Sequence, residues 1–284
     1  MPYSTLIDAA SLARIVGRPG VAIVDCRFDL AEPEAGRQAY LKAHIPAASY
    51  AALNQDLSVP PGSTTGRHPL PSKTQFAARL GALGVDNDTQ VIVYDQASGA
   101  YAARLWWMLR WMGHDSVAVL DGGFDAWLAH GGPVQSGACA VPARRFDARG
   151  PGQPVATGLD VLAAVSRRDR LIVDARAAER YSGQIEPLDT VAGHVPGAVN
   201  HPFTANLTPA GSFLPLPELR RRWLQVLGNR APKDLIAMCG SGVTACHNLL
   251  ALEVAGLPGA SLYAGSWSEW IRDPSRPVAT GSMP

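Results

Sequence analysis

Two α/β domains in tandem, each a mainly parallel central sheet flanked by helices, are what this sequence predicts. Three observations carry the expectation. Short apolar, β-branched runs alternate with helical stretches, the pattern of strands joined by crossover helices. The pattern of the first half returns in the second. Between the halves lies a stretch rich in Gly, Pro, Ala and Arg that can continue neither a helix nor a central strand.

The repeated elements keep one order. Residues 21–27, Val-Ala-Ile-Val-Asp-Cys-Arg, read as a buried strand ending in Asp-x-Arg, and residues 171–176, Leu-Ile-Val-Asp-Ala-Arg, read the same way. Ala-His-Ile-Pro-Ala-Ala at 43–48 is answered by Gly-His-Val-Pro-Gly-Ala at 193–198. The run 90–95, ending in Asp95, is answered by 234–239, ending in Cys239. Asp-Gly-Gly-Phe-Asp-Ala-Trp at 121–127 is answered by Ala-Gly-Ser-Trp-Ser-Glu-Trp at 264–270. The offsets are roughly 143–150 residues, which is too long for a solenoid and fits duplicated domains. The expected division is 1–136, a linker at 137–157, and 158–284. Apolar helical runs at 105–112 and 248–255 each stop at a glycine, Gly113 and Gly256, as helices commonly do.

Bulk properties exclude several classes. At roughly 100–200 residues per domain, the length suits two ordinary domains. A net charge of +1 supplies no global field for nucleic acid or an anionic membrane. No run approaches the ~18 apolar residues of a membrane span, and no basic region precedes an apolar stretch at the N-terminus, so no signal peptide is expected. The four cysteines, Cys26, Cys139, Cys239 and Cys246, lack the spacing of a zinc site or a disulfide framework. A cytoplasmic, reducing environment is the expectation, with any functional cysteine a catalytic thiol. Neither a metal nor a cofactor site is expected. Gly122-Gly123 and Gly131-Gly132 lack the pattern of a phosphate loop.

Active sites of parallel sheets lie beyond the carboxyl ends of strands, and Cys239 stands at such an end. Gly240-Ser241-Gly242-Val243-Thr244-Ala245 follows it into a helix. Two glycines allow a tight curl with positive φ. The curled N–H groups and those of the helix start then converge on one point that favours negative charge, where the sulfur sits. A cysteine after an apolar strand also reads as a small buried hydrophobe. The Gly-x-Gly-x-Thr continuation favours the reactive reading. Cys26, in a strand, and Cys246, in the helix, read as core. Cys139 falls in the linker.

The repeat, the Cys-Gly-Ser-Gly-Val-Thr-Ala loop, the Gly-His-Val-Pro-Gly-Ala-Val-Asn segment and the Gly-Ser-Trp-Ser-Glu-Trp segment together resemble the tandem rhodanese sulfurtransferases, over nearly the whole chain. The loop looks like that of the 3-mercaptopyruvate sulfurtransferase branch. Thiosulfate-using members carry two basic residues where this chain has Gly240 and Ser241. The resemblance implies a Cys239 persulfide that takes sulfane sulfur from a small donor, with 3-mercaptopyruvate favoured and thiosulfate the alternative. It implies delivery to cyanide, a small thiol or a thioredoxin-like reductant, with a persulfide carrier serving a protein partner as a further reading. The first domain, with Asp95 in place of the cysteine, is expected to be silent.

Carried over residue by residue, the resemblance makes Arg180, in Asp-Ala-Arg-Ala-Ala-Glu-Arg-Tyr, the ligand of the donor's anionic group. Arg176 is instead a structural anchor. Gly240, Gly242, Val243 and Thr244 surround the donor. His68, in Gly-Arg-His-Pro-Leu-Pro, and Ser241 form a proton relay. The bland alternatives are a surface loop for His68 and capping of the helix start for Ser241 and Thr244. The family's usual partner carboxylate is not evident, since Asn54 falls near its position. A further family arginine is missing from Ile185-Glu186-Pro187-Leu188-Asp189. His44 and His194 recur in both repeats and read as structural. A cysteine-dependent phosphatase would need an arginine six residues after the cysteine to clamp phosphate, and that position is Ala245. A non-catalytic binding module would lack the cysteine.

Overall fold

The computed structural model describes residues 2–284. They form two compact units, each with a five-stranded all-parallel sheet. The first sheet contains β1 (Leu6–Ile7), β2 (Val21–Asp25), β3 (Ala48–Tyr50), β4 (Gln90–Tyr94) and β5 (Val117–Leu120), in the order β1-β5-β4-β2-β3. The second contains β6 (Val155–Ala156), β7 (Leu171–Asp174), β8 (Val199–Asn200), β9 (Leu235–Met238) and β10 (Ser261–Tyr263), in the order β6-β10-β9-β7-β8. The two orders are the same order, so the sequence repeat is a repeat of topology.

The strands are short and their central members apolar throughout, as expected when helices cover both faces. Ile23, Ile92, Leu120, Phe124 and Trp127 centre the first core. Ile172, Ile236, Met238, Trp267 and Trp270 centre the second. The helices Ala102–Trp111 and Thr244–Val254 are buried along most of their length and run out at Gly113 (φ +80°) and Gly256 (φ +68°).

Packing details repeat as well. Asp25 holds Arg27 through Nε and Nη2, and the Nη2 also reaches the Ala43 carbonyl at 2.6 Å. Asp174, Arg176 and the Gly193 carbonyl repeat the arrangement, with the last contact at 2.7 Å. His44 Nδ1 lies 2.8 Å from the Tyr40 carbonyl and stacks on that ring, and His194 does the same with Tyr181 at 2.9 Å. Both histidines are spent on structure.

The stretch expected to be a linker is divided. Residues up to Gln153 belong with the first unit, whereas Pro154 onward belongs with the second, where Val155–Ala156 is strand β6. Backbone N–H groups of Arg144 and Arg149 donate to the carbonyls of Gly81 and Met112. A Cβ on Gly81 would lie 2.2 Å from the Arg144 carbonyl oxygen, and one on Gly113 1.5 Å from that of Arg149. Bare glycines let this strap lie flat on the helices, and nothing local in the sequence announces that. Conversely, Pro60–Pro69, which lies in sequence within the first repeat, belongs with the second unit, as does everything after residue 153 except Thr208–Phe213.

At the end of β4, the Asp95 carboxylate accepts N–H groups from Gly99 and Tyr101, both at 2.8 Å, and Ala102 at 3.2 Å. Burial pushes this carboxyl up, against the pull of those three donors. The first unit thus fills its own anion cradle. Asp95→Ala is expected to destabilise the protein by about 3 kcal/mol, because buried donors lose their acceptor. Asp95→Asn, which keeps one oxygen, should lose less. A urea midpoint for the alanine variant within error of wild type would show the cradle to be unimportant.

Candidate active site

The residues that follow β9 build the corresponding cradle around a sulfur. The Cys239 side chain is buried, and its Sγ accepts the Gly242 N–H at 3.1 Å. The loop is held from behind by the start of the helix Ser266–Trp270. Ser266 Oγ accepts the Cys239 N–H at 3.0 Å, while Trp267 and Ser268 N–H groups take the carbonyls of Cys239 and Gly240 at 3.0 and 2.9 Å. With its carbonyls drawn away, the loop can turn an N–H group toward the sulfur, the usual device for holding an anion beside a helix N-terminus.

The two glycines of the loop serve different purposes. Gly242 has φ +77°, and a Cβ there would sit 2.3 Å from the Ala264 carbonyl oxygen. It supplies the curl that the sequence suggests. Gly240 has no positive φ. A Cβ on it would lie 2.9 Å from Arg67 Nη2 and 3.4 Å from Arg180 Nη1. Gly240 therefore makes room for two guanidinium groups.

Ser241 is buried and does not cap the helix. The N-cap is Val243, with no side-chain capping bond, and Thr244 opens the helix Thr244–Val254. Ser241 Oγ instead lies 2.8 Å from His68 Nδ1, and His68 is itself buried. Sequence reading left His68 open to being a surface residue. It is held because Gly66 packs against Gly265, where a Cβ would come within 2.4 Å of the carbonyl oxygen, and because the Arg67 N–H donates to Ser268 Oγ at 3.0 Å.

Beside the loop runs a ladder of alternating charge. Arg176 bridges Asp174 (2.7 Å) and Glu186 (3.3 Å) and lies over the Trp267 ring at 4.8 Å. Arg180 bonds Glu186 at 2.7 Å and Asp189 at 3.2 Å, and Asp189 also receives Arg67 Nη1. Arg176, with its side chain 1% exposed, is wholly committed to this ladder. Arg180, with its side chain 18% exposed, uses Nε and Nη2 on the carboxylates and points Nη1 at Gly240. Burial pushes the Glu186 carboxyl up. The hydrogen bonds from Arg180 and from the Leu188 and Asp189 N–H groups, with the Arg180 charge, outweigh that and leave it below the usual range. The sequence points to Arg180 but gives no direct sign of Glu186, Asp189 or Ser266 at this place. Arg67 was adjacent to His68 in a motif already singled out, and that was its only signal.

The remaining cysteines are elsewhere. Cys26 is buried directly after β2, and burial, with the Asp25, Asp95 and Asp56 charges, pushes its thiol well up. Cys246 Sγ donates to the Gly242 carbonyl at 3.3 Å. Cys139 Sγ lies 3.2 Å from His44 Nε2. Asn54, near the position of the family's carboxylate, is exposed. Among the described residues no group of three or more His, Cys, Asp or Glu is placed to hold a metal ion, and no helix is long and apolar enough to cross a membrane.

A thiol in an N–H cradle, at the same strand end of a duplicated five-stranded parallel sheet, decides the relationship, and comparison with known proteins agrees. The rhodanese-like domain family matches residues 8–130 and again 159–273. The chain belongs to the rhodanese family of sulfurtransferases. It is 46% identical to a probable 3-mercaptopyruvate sulfurtransferase of Pseudomonas aeruginosa, over 99% of this chain and all of that one. It is 37% identical to the thiosulfate sulfurtransferase of Bos taurus, over 95% of this chain and 92% of that one. The crystal structure of SseA from Escherichia coli, described as a 3-mercaptopyruvate sulfotransferase, is 33% identical. It matches with a TM-score of 0.79 over 94% of this chain and all of that one.

The lowered Glu186 carboxyl gives a pH signature. A group whose folded pKa is depressed contributes stability that is complete above its ordinary value, 4.5 here, and is lost as pH falls through the lower folded value. Glu186→Gln should therefore lower stability at neutral pH and flatten the loss of stability below pH 4.5. Parallel acid limbs for the variant and wild type, in urea titrations at a series of pH values, would show that the ladder does not need this charge.

Proposed function

We propose that the chain moves sulfane sulfur from 3-mercaptopyruvate to a thiophilic acceptor through a persulfide on Cys239. The observation that carries this reading is the 2.8 Å Ser241–His68 contact beside the cradled sulfur. The Cys239 thiolate attacks the donor sulfur, an S–S bond forms, and the C–S bond breaks with its electron pair left on carbon as the enolate of pyruvate. A proton must then reach that carbon, and the donor's thiol has one to give up. Ser241 and His68 stand where they can pass it. Thiosulfate would release sulfite and needs no such proton.

The persulfide keeps its charge on the outer sulfur, within the loop of Gly240, Gly242, Val243 and Thr244. Cyanide takes that sulfur as thiocyanate. A thiol takes it as a new persulfide, and either acceptor returns the Cys239 thiolate. A thioredoxin-like reductant would carry off sulfur as sulfide while forming its own disulfide. Arg180 holds the donor carboxylate. The catalytic domain of this reading is 158–284 with His68 added, the domain at 1–136 is silent because Asp95 cannot carry sulfane sulfur, and the four thiols fit a cytoplasmic setting. Transfer from thiosulfate is the second reading. It is favoured by the bovine relative's name and by the two guanidinium groups that border a loop otherwise without cations.

After treatment with 3-mercaptopyruvate, the Cys239 peptide should gain about 32 Da, one sulfur atom on the oxidation ladder of cysteine. Cys239→Ser should abolish both the adduct and turnover. Sulfur transfer by the serine variant would sink the proposal. In steady-state kinetics 3-mercaptopyruvate should show the higher kcat/KM of the two donors. His68→Ala should lower kcat with it by roughly 10²–10³-fold, the usual worth of a positioned acid–base group. Persulfide formation from thiosulfate should change much less. Equal losses with both donors would mean that His68 supports the loop and moves no proton.

A further inference from the structure

We infer that Cys139 and His44 form a second reactive thiol site, a nucleophile–base pair that exchanges with small disulfides and takes no part in sulfur transfer at Cys239. The pair lies wholly within the first unit. The segment that carries Cys139 is stitched to the end of the helix Ala35–Lys42. Gln135 and His44 exchange backbone hydrogen bonds at 2.9 Å, the Gly137 N–H donates to the Leu41 carbonyl at 2.8 Å, and the Cys139 N–H donates to Tyr40 Oη at 3.0 Å. Tyr40 thereby holds both partners, because its carbonyl takes His44 Nδ1 at 2.8 Å and its ring stacks on the imidazole. A carbonyl can only accept, so Nδ1 carries the proton of that bond, and in the neutral ring Nε2 is then the acceptor. Cys139 Sγ lies 3.2 Å from Nε2 and donates its S–H there.

A thiol beside a base that is itself oriented by a third group is the arrangement that activates cysteine nucleophiles. The fold does not need the thiol. The structural duty of His44 uses Nδ1 and the ring face, and in the second unit the equivalent nitrogen, His194 Nε2, is buried with no hydrogen-bond partner among the described residues. Cys139 is also partly exposed, whereas Cys26 and Cys246 are buried. It opens on a cavity of about 320 Å³ that gives a short chain on the sulfur somewhere to lie. Glu34, Arg37, Tyr40 and Asp56 line that cavity and, with Asp25 acting on Tyr40, are the charged or titratable groups that face the pair. Such walls suit a hydrophilic disulfide. In the exchange, Sγ attacks one sulfur of the disulfide as His44 Nε2 takes the thiol proton. A new S–S bond forms, and the old one breaks with its electron pair on the departing sulfur, which then recovers the proton from His44. The products are a mixed disulfide on Cys139 and one small thiol.

The test treats the full chain with bis(2-hydroxyethyl) disulfide and follows the Cys139 peptide by mass as it gains about 76 Da, one hydroxyethylthio group in place of one hydrogen. The same cysteine in the urea-unfolded chain, away from His44, is the reference. There the rate should follow the thiolate fraction of an ordinary cysteine and fall roughly 70-fold from about pH 8 to about pH 6. In the folded chain the fall should be less than about tenfold, and at about pH 6 the folded chain should be the faster of the two. A folded profile parallel to the unfolded one overturns the pair, because exposure alone changes the rate equally at every pH. His44→Gln should restore the steep profile, and a shallow profile that persists in it also overturns the pair. Should that variant fail to fold, the wild-type comparison decides. Cys139→Ala should remove the adduct and leave sulfur transfer from 3-mercaptopyruvate unchanged. Loss of that transfer would overturn the separation of this site from Cys239. The exchange needs no sulfur donor, so failure of the 3-mercaptopyruvate reading leaves this site standing.

Discussion

A buried ion pair at the end of the second strand of each sheet core is the constraint from which the rest of the molecule is built. Asp25 with Arg27 and Asp174 with Arg176 occupy equivalent places, each arginine also reaching the carbonyl of a facing loop and lying over an aromatic ring, Phe124 or Trp267. Removing one partner of such a pair strands a charge in a dry interior, at a cost of about 3–5 kcal/mol. The pair thus fixes where the loops beyond the strand ends can go.

What distinguishes the units is how the ladder continues and what fills the cradle. In the second unit Glu186 extends the pair to Arg180, and Asp189 extends it again to Arg67. The ladder carries equal numbers of both signs, so it creates little net field. Its effect is directional, aiming one edge of each outer arginine at the loop. In the first unit three N–H groups close on the Asp95 carboxylate. In the second, the Gly242 N–H meets the sulfur of Cys239. Both loops turn backbone N–H groups onto an acceptor beside a helix start. A carboxyl group that belongs to the chain stays where it is, whereas a sulfur can be extended and handed over.

Much of this was legible in the sequence, and the reason is locality. Strand ends, the glycine stops at Gly113 and Gly256, and the cysteine loop are all written in runs of a few residues. The repeat doubled each signal. The structural role of Arg176 was readable from its place near the strand end, within a stretch that matches the family pattern. What escaped was long-range. Nothing local to Pro60–Pro69 says that this segment packs with the second unit, and only the family resemblance put His68 beside Ser241, because the contacts that hold the segment come from Gly265 and Ser268, about two hundred residues on. Residues 137–157 read as a linker because their composition excludes regular structure, yet within them Arg144 and Arg149 lie with their backbone carbonyls against Gly81 and Gly113. Composition reports the absence of helix and strand. It cannot report what an irregular segment lies against.

Gly240 shows how a glycine can be read for an incomplete reason. Taken with Gly242 as part of a curl, it looked like a need for backbone freedom, and its lack of charge looked like a neutral site. The backbone there is ordinary. What requires glycine is the pair of guanidinium groups standing over it. A basic side chain at 240 would have to displace both, so a chain whose cations arrive from Arg67 and Arg180 must keep this position empty. A loop sequence without cations therefore does not mean a site without them. The missing arginine near Leu188 and the arginine beside His68 are two sides of one arrangement, with Asp189 as the hinge between them. Where that arginine is missing, the Asp189 carboxylate holds Arg180 and a guanidinium from another part of the chain, Arg67.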